Sequence, residues 1–341
     1  MNRPADNDLL SGQRACGIAA GMSVWTPSGC TTRWTSPENG DQQPVFLIYS
    51  ITKTFIACLL LQLAEAGQLD LDAPVKPLWQ GPPLPGSFSD AVTTRRLLNH
   101  TAGLPDYGGL KAYHAQVREH PGQPWTAGEF IEATLIQPWS VPEPARFAYS
   151  NPGYMLLRHL LETVGGEPWT QQLTKRVCQP LGLIHTTVAS DTADLLPLAP
   201  GLSRVIADGD GWLDVRGRYH PGWVSHGVIA STASDVTAFL HGLFSGRLLQ
   251  PGSLAAMLDA VPVGAAGGRW RQPRYGLGLM VDPAMEPGPV RGHNGGGPGY
   301  SASAFGLWRA GVLQGIATSI VGGGEHAEAE RLTFEALTRL A

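Results

Sequence analysis

The spacing of apolar residues changes character twice along the chain. Up to residue 49, short apolar runs alternate with turn residues, as in "CGIAAGMSVWTPSG" and "QPVFLIYS", which predicts short strands. From Ser50 the period lengthens: "SITKTFIACLLLQLAEAG" carries Phe55, Leu59, Leu63 and Ala66 at helical spacing, with Gly67 as a stop. This predicts a buried helix with Ser50 at its start. Residues 68 to about 220 read as helical segments broken by proline and glycine, among them "TTRRLLNHTAG", "TAGEFIEATLI" and "NPGYMLLRHLLETVGG". "ASTASDVTAFLHGLFSG" adds a helix with Thr232 and Asp235 as a capping box. Strand-like text returns in "RYGLGLMV", "YSASAFGLW" and "VLQGIATSIVGG", and "EHAEAERLTFEALTRLA" closes the chain as a helix. Strands at both ends with helices between predict an α+β molecule: one sheet shared by residues 1–75 and 220–341, and a mainly helical insertion over 76–219.

Composition narrows the function classes. With 341 residues, 43% of them hydrophobic and 15% charged, the chain can fill a sizeable core. Its formal charge of −4 and the lack of a basic run leave no electrostatic footprint for nucleic acid or an anionic membrane surface, so a small-molecule substrate is the expected partner. The longest apolar run, Phe55 to Leu61, is far short of the roughly 20 residues that span a bilayer. "MNRPADNDLLSGQRACG" has no apolar segment behind a basic start, so the expected location is the cytoplasm. Cys16, Cys30, Cys58 and Cys178 are scattered without a C-x-x-C spacing and read as reduced, mostly structural thiols. Neither a cofactor nor a metal is expected, and the oligomeric state stays open.

Three short patterns carry candidate chemistry. Among only four lysines, Lys53 lies three residues after Ser50, on the same face of the first helical turn. Apolar neighbours would desolvate its amine and draw its pKa from about 10.4 towards 7 or 8, where it serves as a base. In "FAYSNPGY", Tyr149 offers a proton-relaying hydroxyl, and Asn151 an amide able to hold a lysine amine or a substrate amide. In "GHNGGGPGY", His293 and Gly295 lie on a candidate strand whose glycines would admit a substrate against the backbone. Each pattern also has a plain structural reading: a capping serine with a snorkelling lysine, a turn before a helix, and a flexible hairpin loop. His100 in "LLNHTAGL" reads as a supporting residue, and the loop "DGDGWLDVRGRYHPGWVSHG" as a possible pocket wall. A Gly-x-Ser-x-Gly elbow, a phosphate-binding Gly-x-x-x-x-Gly-Lys loop and a His-Glu-x-x-His zinc helix are all absent from the sequence.

Ser50-x-x-Lys53, Tyr149-x-Asn151 and His293-x-Gly295, in this order, resemble the serine β-lactamase and penicillin-binding-protein family. The likeness is greatest to its class C β-lactamase, D-Ala-D-Ala carboxypeptidase, D-aminopeptidase and family VIII esterase branch. "TTRRLLNHTAGLPDY", "QPLGLIHT" and "GVIASTASDVTAFL" resemble recurrent segments of that branch, and the likeness covers roughly residues 45 to 305. It implies a β-lactamase/transpeptidase-like fold: an antiparallel sheet flanked by helices beside a helical domain, with the active site in the cleft between them. It further implies Ser50 as nucleophile, Lys53 as general base and Tyr149 as proton relay. Asn151, His293, Asn294 and Gly295 would bind substrate, and the backbone N–H groups of Ser50 and Gly296 would form the oxyanion hole. The implied activity is a metal-independent serine hydrolase working through an acyl-enzyme on a small amide, D-peptide or ester. A β-lactamase or D-Ala-D-Ala carboxypeptidase, and a non-turnover penicillin-binding sensor or acyltransferase, are the alternatives. The third motif departs from the branch, whose members carry Lys-Thr-Gly or His-Thr-Gly. His293-Asn294-Gly295 lacks both the lysine charge and the threonine hydroxyl that grip a substrate carboxylate.

Overall fold

A computed structural model describes residues 8–38, 40–136, 138–207, 209, 211–264, 266–323 and 327–340. The first seven residues, and Glu325, His326 and Ala341 of the predicted final helix, lie outside them.

Strands β1 (Ala20–Thr26) and β2 (Gly29–Thr35) form the amino-terminal hairpin. The short strands β3 (Phe46–Leu47), β4 (Thr187–Ala189) and β7 (Val228–Ser231) make a small antiparallel sheet in the order β3-β7-β4, while β5 (Leu202–Ser203) pairs with β6 (Leu213–Asp214). The remaining strands are β8 (Val261–Pro262), β9 (Arg274–Tyr275), β10 (Met280–Asp282), β11 (Val290–Gly297), β12 (Tyr300–Arg309) and β13 (Val312–Val321). Among the described residues, the large sheet has eight antiparallel strands in the order β2-β1-β13-β12-β11-β10-β9-β8. The two ends of the chain therefore share one sheet, with β1 paired to β13 from Ala20↔Val321 to Trp25↔Ile316. A two-residue turn joins β12 to β13: Ala310 and Gly311 both have positive φ, 47° and 76°, which matches the right-handed twist of the flanking strands.

Both faces of this sheet are covered. Phe305, Leu307, Ala317 and Val321 pack with Leu332, Phe334 and Leu337 of the carboxy-terminal helix Ala327–Thr338. Ala302, Ala304, Ile316 and Ile320 alternate with them and enter the main core on the other face, with helix Ala233–Phe244. Tyr300 to Trp308 of β12 are therefore all buried, Ser301 and Ser303 included, because alternate side chains meet different cores.

Helix Thr52–Glu65 is apolar around almost its whole circumference, and Thr52 to Leu61 are all buried. That pattern requires enclosure on all sides. The stacking of Phe55 on Phe239, with ring centroids 3.6 Å apart, seals it against helix Ala233–Phe244. Helices Lys111–Glu119, Ala127–Leu135 and Asn151–Gly165 fill the middle of the chain. Gly166, at φ 70°, closes the last of them. Strand β4 lies inside the stretch expected to be mainly helical, and it pairs with β7.

The capping box predicted at Thr232 is only half formed. Thr232 accepts from the Asp235 N–H, but the Asp235 carboxylate turns away and accepts from the His185 N–H and the Thr186 hydroxyl, both at 2.9 Å. Tertiary partners outcompete the local cap.

Candidate active site

The site is built on a strained turn. Ser50 lies in the 3-10 turn Tyr49–Ile51 that leads into helix Thr52–Glu65. Tyr49 before it has φ 44°, a conformation disfavoured for a side chain with a Cβ. Two bonds tie this segment to β7: the Ile48 N–H donates to the Ile229 carbonyl at 2.9 Å, and the Ile229 N–H donates to the Thr52 hydroxyl at 3.1 Å. β11 presses on the same turn from the other side. A Cβ on Gly295 would stand 2.1 Å from the Ile48 oxygen, and one on Gly297 would stand 2.3 Å from the Tyr49 ring. These glycines let β11 pack against the turn, a different reason from the expected substrate access. Gly296 between them is exposed.

Lys53 is fully buried one helical turn on. Its Nζ lies 3.0 Å from Ser50 Oγ, 2.8 Å from Asn151 Oδ1 and 3.3 Å from His226 Nε2. Burial pulls its pKa down to about 7, opposed only in part by the Asp106 carboxylate. The Tyr149 hydroxyl donates to Ser50 Oγ at 3.0 Å. Desolvation pushes this phenol well above its usual value, so it stays protonated. The two groups beside Ser50 are thus set apart: an amine able to be neutral near pH 7, and a phenol that keeps its proton.

Three residues explain why Tyr149 and Asn151 stand where they do. Ser150 caps helix Asn151–Gly165 by accepting from the Gly153 N–H at 3.2 Å, so the chain is extended at Ser150, just after Tyr149, and helical from Asn151. Asp106 accepts from the Asn151 N–H at 2.7 Å. His100 Nδ1 accepts from the Ser150 N–H at 3.1 Å, and its ring lies 4.3 Å from that of Tyr149. His100 therefore supports the site, as its sequence context suggested.

The third motif contributes less openly. His293 is only 3% exposed, and its Nδ1–H donates to the Asn294 carbonyl while its Nε2 accepts from the Tyr275 hydroxyl at 2.8 Å. Desolvation holds its pKa at about 3, so it carries no charge in the neutral range. Asn294 spends its amide N–H on Glu330 of the carboxy-terminal helix, and Arg269 pairs with the same carboxylate at 3.2 Å. A cavity of about 390 Å³ runs along these residues, lined by Ser50, Tyr149, His293, Gly295, Gly296 and Glu330 among others. A second cavity of about 250 Å³ opens on the other side of Ser50, between Tyr107, Tyr113, Tyr219, Val224 and His226. The loop before β7 thus walls a pocket through Tyr219 and Val224, while its Trp223 is buried elsewhere in the core.

All eight residues singled out in the sequence lie in this one neighbourhood: Ser50, Lys53, Tyr149, Asn151, His293, Asn294, Gly295 and Gly296. His226, Asp106, Tyr275 and Glu330 were missed. No spacing pattern marks them, because each reaches the site through a long-range contact. No helix among the described residues is long and apolar enough to cross a membrane.

Known proteins share this arrangement of elements. A D-stereospecific amidohydrolase from Streptomyces sp. superposes with a TM-score of 0.81 at 28% identity, covering 96% of this chain and 97% of that one. A D-amino acid amidase from Ochrobactrum anthropi superposes with a TM-score of 0.79 at 25% identity, covering 97% of each chain. Penicillin-binding protein 4 of Amycolatopsis lactamdurans is 32% identical over 155 residues, 44% of this chain and 37% of that protein. The chain spans about half or less of the length of the curated relatives it matches first. The fold is β-lactamase/transpeptidase-like. The β-lactamase family model matches residues 30–338, nearly the whole sequence, and the chain therefore belongs to the β-lactamase family.

Proposed function

We propose that the protein hydrolyses small amides or esters that lack a carboxylate, D-amino acid amides foremost, through an acyl-enzyme on Ser50. The observation that carries this reading is the contact of Ser50 Oγ with a buried Lys53 amine whose pKa lies near 7 and with a protonated Tyr149 hydroxyl. Ser50 Oγ attacks the substrate carbonyl carbon while its proton passes to Lys53 Nζ. The oxyanion of the tetrahedral intermediate accepts from the Ser50 N–H at the head of the helix and from the Gly296 N–H of β11. When the C–N or C–O bond breaks, Tyr149 gives its proton to the leaving group and recovers one from Lys53. Water then attacks the acyl-enzyme by the reverse route and frees the acid. Tyr149 is a poor candidate for the base, because burial raises its pKa where a base would need it lowered.

The preference for substrates without a carboxylate follows from charge. The described residues lining the cavity beside the third motif include a glutamate and no lysine or arginine, and His293 is neutral. A charge-assisted hydrogen bond contributes roughly 1.5–3 kcal/mol, so its loss lowers selectivity for carboxylated substrates by about one to two orders of magnitude. The similarity to the D-stereospecific amidohydrolase and the D-amino acid amidase supports the D-amino acid amide within that class. Steady-state assays of D- and L-amino acid amides, p-nitrophenyl esters and nitrocefin, on wild type and Ser50→Ala, test the proposal. Many turnovers on an amide or ester without a carboxylate, faster than on nitrocefin and lost in Ser50→Ala, are expected. Nitrocefin hydrolysis as efficient as that of the best such substrate would overturn the carboxylate argument, and equal activity in Ser50→Ala would overturn the nucleophile. A single stoichiometric burst would point to the acylating sensor.

A further inference from the structure

His226 has no place in the reaction as derived so far, yet it touches the amine at the centre of it. The imidazole is 1% exposed and lies in the tight turn Val224–Gly227, where the Gly227 N–H donates to the Val224 carbonyl at 2.7 Å. The next strand, β7, bonds directly to the segment carrying Ser50, which ties the turn to that segment. Ser225 adds a tie, its N–H donating to the Tyr107 hydroxyl at 3.2 Å.

The hydrogen-bond inventory of a neutral amine decides what His226 does. Such an amine has two N–H donors and one lone pair. Asn151 Oδ1 can only accept, so it takes one N–H. To act as base, Lys53 must offer its lone pair to the Ser50 hydroxyl at 3.0 Å. One N–H is left, and among the described residues the remaining polar contact of Nζ is His226 Nε2 at 3.3 Å. Other directions are closed by the faces of Tyr149 and Tyr154, whose centroids lie 5.0 and 5.5 Å from Nζ.

We propose that His226 is a positioning residue for the base: its Nε2 takes one N–H of Lys53 while Asn151 Oδ1 takes the other, which leaves the lone pair facing the Ser50 hydroxyl. The inference rests on Lys53 being the base of Ser50. The assignment puts the imidazole proton on Nδ1, which is buried with no partner among the described residues. When the serine proton arrives, the third N–H forms on the side of Ser50 and the other two contacts persist. The amine therefore cycles between its two states without rotating. His226 stays an acceptor throughout, because burial and the positive charge of Lys53 hold its pKa well below the usual range, with smaller contributions from Arg158 of helix Asn151–Gly165, His293 of β11 and His100. Asp106 is the anionic group acting on Lys53 itself.

Three substitutions separate positioning from packing. Glutamine can place an acceptor near the position of Nε2. Asparagine reaches only the position of Nδ1, and leucine fills the space without an acceptor. We expect His226→Gln to recover most of the wild-type rate. His226→Asn and His226→Leu should lower kcat by about 100-fold with KM within about 3-fold, as for a misdirected catalytic group. In the dry leucine variant an ammonium loses one acceptor, so the acid limb of kcat/KM should move from near pH 7 to lower pH. If leucine prevents folding, the Gln and Asn variants decide. Rates within 2-fold of wild type for His226→Asn, or equal losses in Asn and Gln, would overturn the inference. Lys53→Ala run in parallel isolates the premise: its retaining activity would overturn the base assignment itself, whereas an inactive Lys53→Ala beside a normal His226→Asn would overturn only the role of His226.

Discussion

Burying Lys53 where its pKa lies near 7 costs the folded protein stability. In the unfolded chain the same amine titrates near 10.5, so between pH 7 and 10.5 the unfolded state holds a proton that the folded state lacks. Unfolding free energy therefore rises with pH across that window, and below it the burial cost of the ammonium is fully present. Replacing Lys53 with methionine removes this cost. We expect Lys53→Met to be inactive yet more stable than wild type at pH 7, by of order 1 kcal/mol or more. The gap in denaturant-derived stability between the two should narrow as pH approaches 10. A variant less stable at pH 7, or a gap independent of pH, would mean that the amine is not held neutral at a cost. The Ser50, Lys53, Tyr149 and Asn151 quartet was legible residue by residue, because spacing within one turn and a capped helix start are local properties. His226 and Asp106 were not. Both lie in stretches that stood out, "TTRRLLNHTAGLPDY" and the pocket-wall loop, but their contacts with Asn151 and Lys53 span 45 and 173 residues of sequence, and no spacing singles out either residue.

At the scale of elements, the third motif acts first as a spacer. β11 passes so close to the Tyr49–Ile51 turn that Gly295 and Gly297 leave no room for a methyl group against the Ile48 oxygen and the Tyr49 ring. Gly295→Ala must move either the strand or the turn that carries Ser50. The Cβ meets rigid backbone, so we expect a destabilisation of about 1–3 kcal/mol, read from denaturant unfolding. We also expect kcat/KM to fall by about 100-fold, because displacing Ser50, the proposed nucleophile, by a fraction of an ångström would spoil its alignment. Wild-type kinetics in Gly295→Ala would show that the strand and turn are not rigidly coupled. The glycine cluster stood out in the sequence, but its physical reason did not, since the neighbours it accommodates, Ile48 and Tyr49, lie about 250 residues away. The half-formed cap at Thr232 has the same origin: the local pattern was read correctly, and His185 and Thr186 then claimed the Asp235 carboxylate.

Across the whole molecule, the sheet joins the two ends of the chain and brings three sequence-distant segments to one point: the turn before helix Thr52–Glu65, the start of helix Asn151–Gly165, and β11. The shared sheet was legible from strand-like text at both termini. Of the small β3-β7-β4 sheet only β3 was legible, within the strand-like "QPVFLIYS"; β4 and β7, of three and four residues, carry too little period to detect. That small sheet nonetheless ties Ser50 to the turn bearing His226. The central claim is that a neutral Lys53 activates Ser50. It is tested most directly by the pH dependence of Ser50 acylation by a fluorophosphonate, followed by intact mass, for wild type and Lys53→Ala. We expect one adduct on Ser50, forming at a rate that rises with pH through an inflection near 7 and levels above it, and a rate slower by orders of magnitude in Lys53→Ala. A wild-type rate unchanged between about pH 5.5 and 8.5, or equal labelling of Lys53→Ala, would contradict the account.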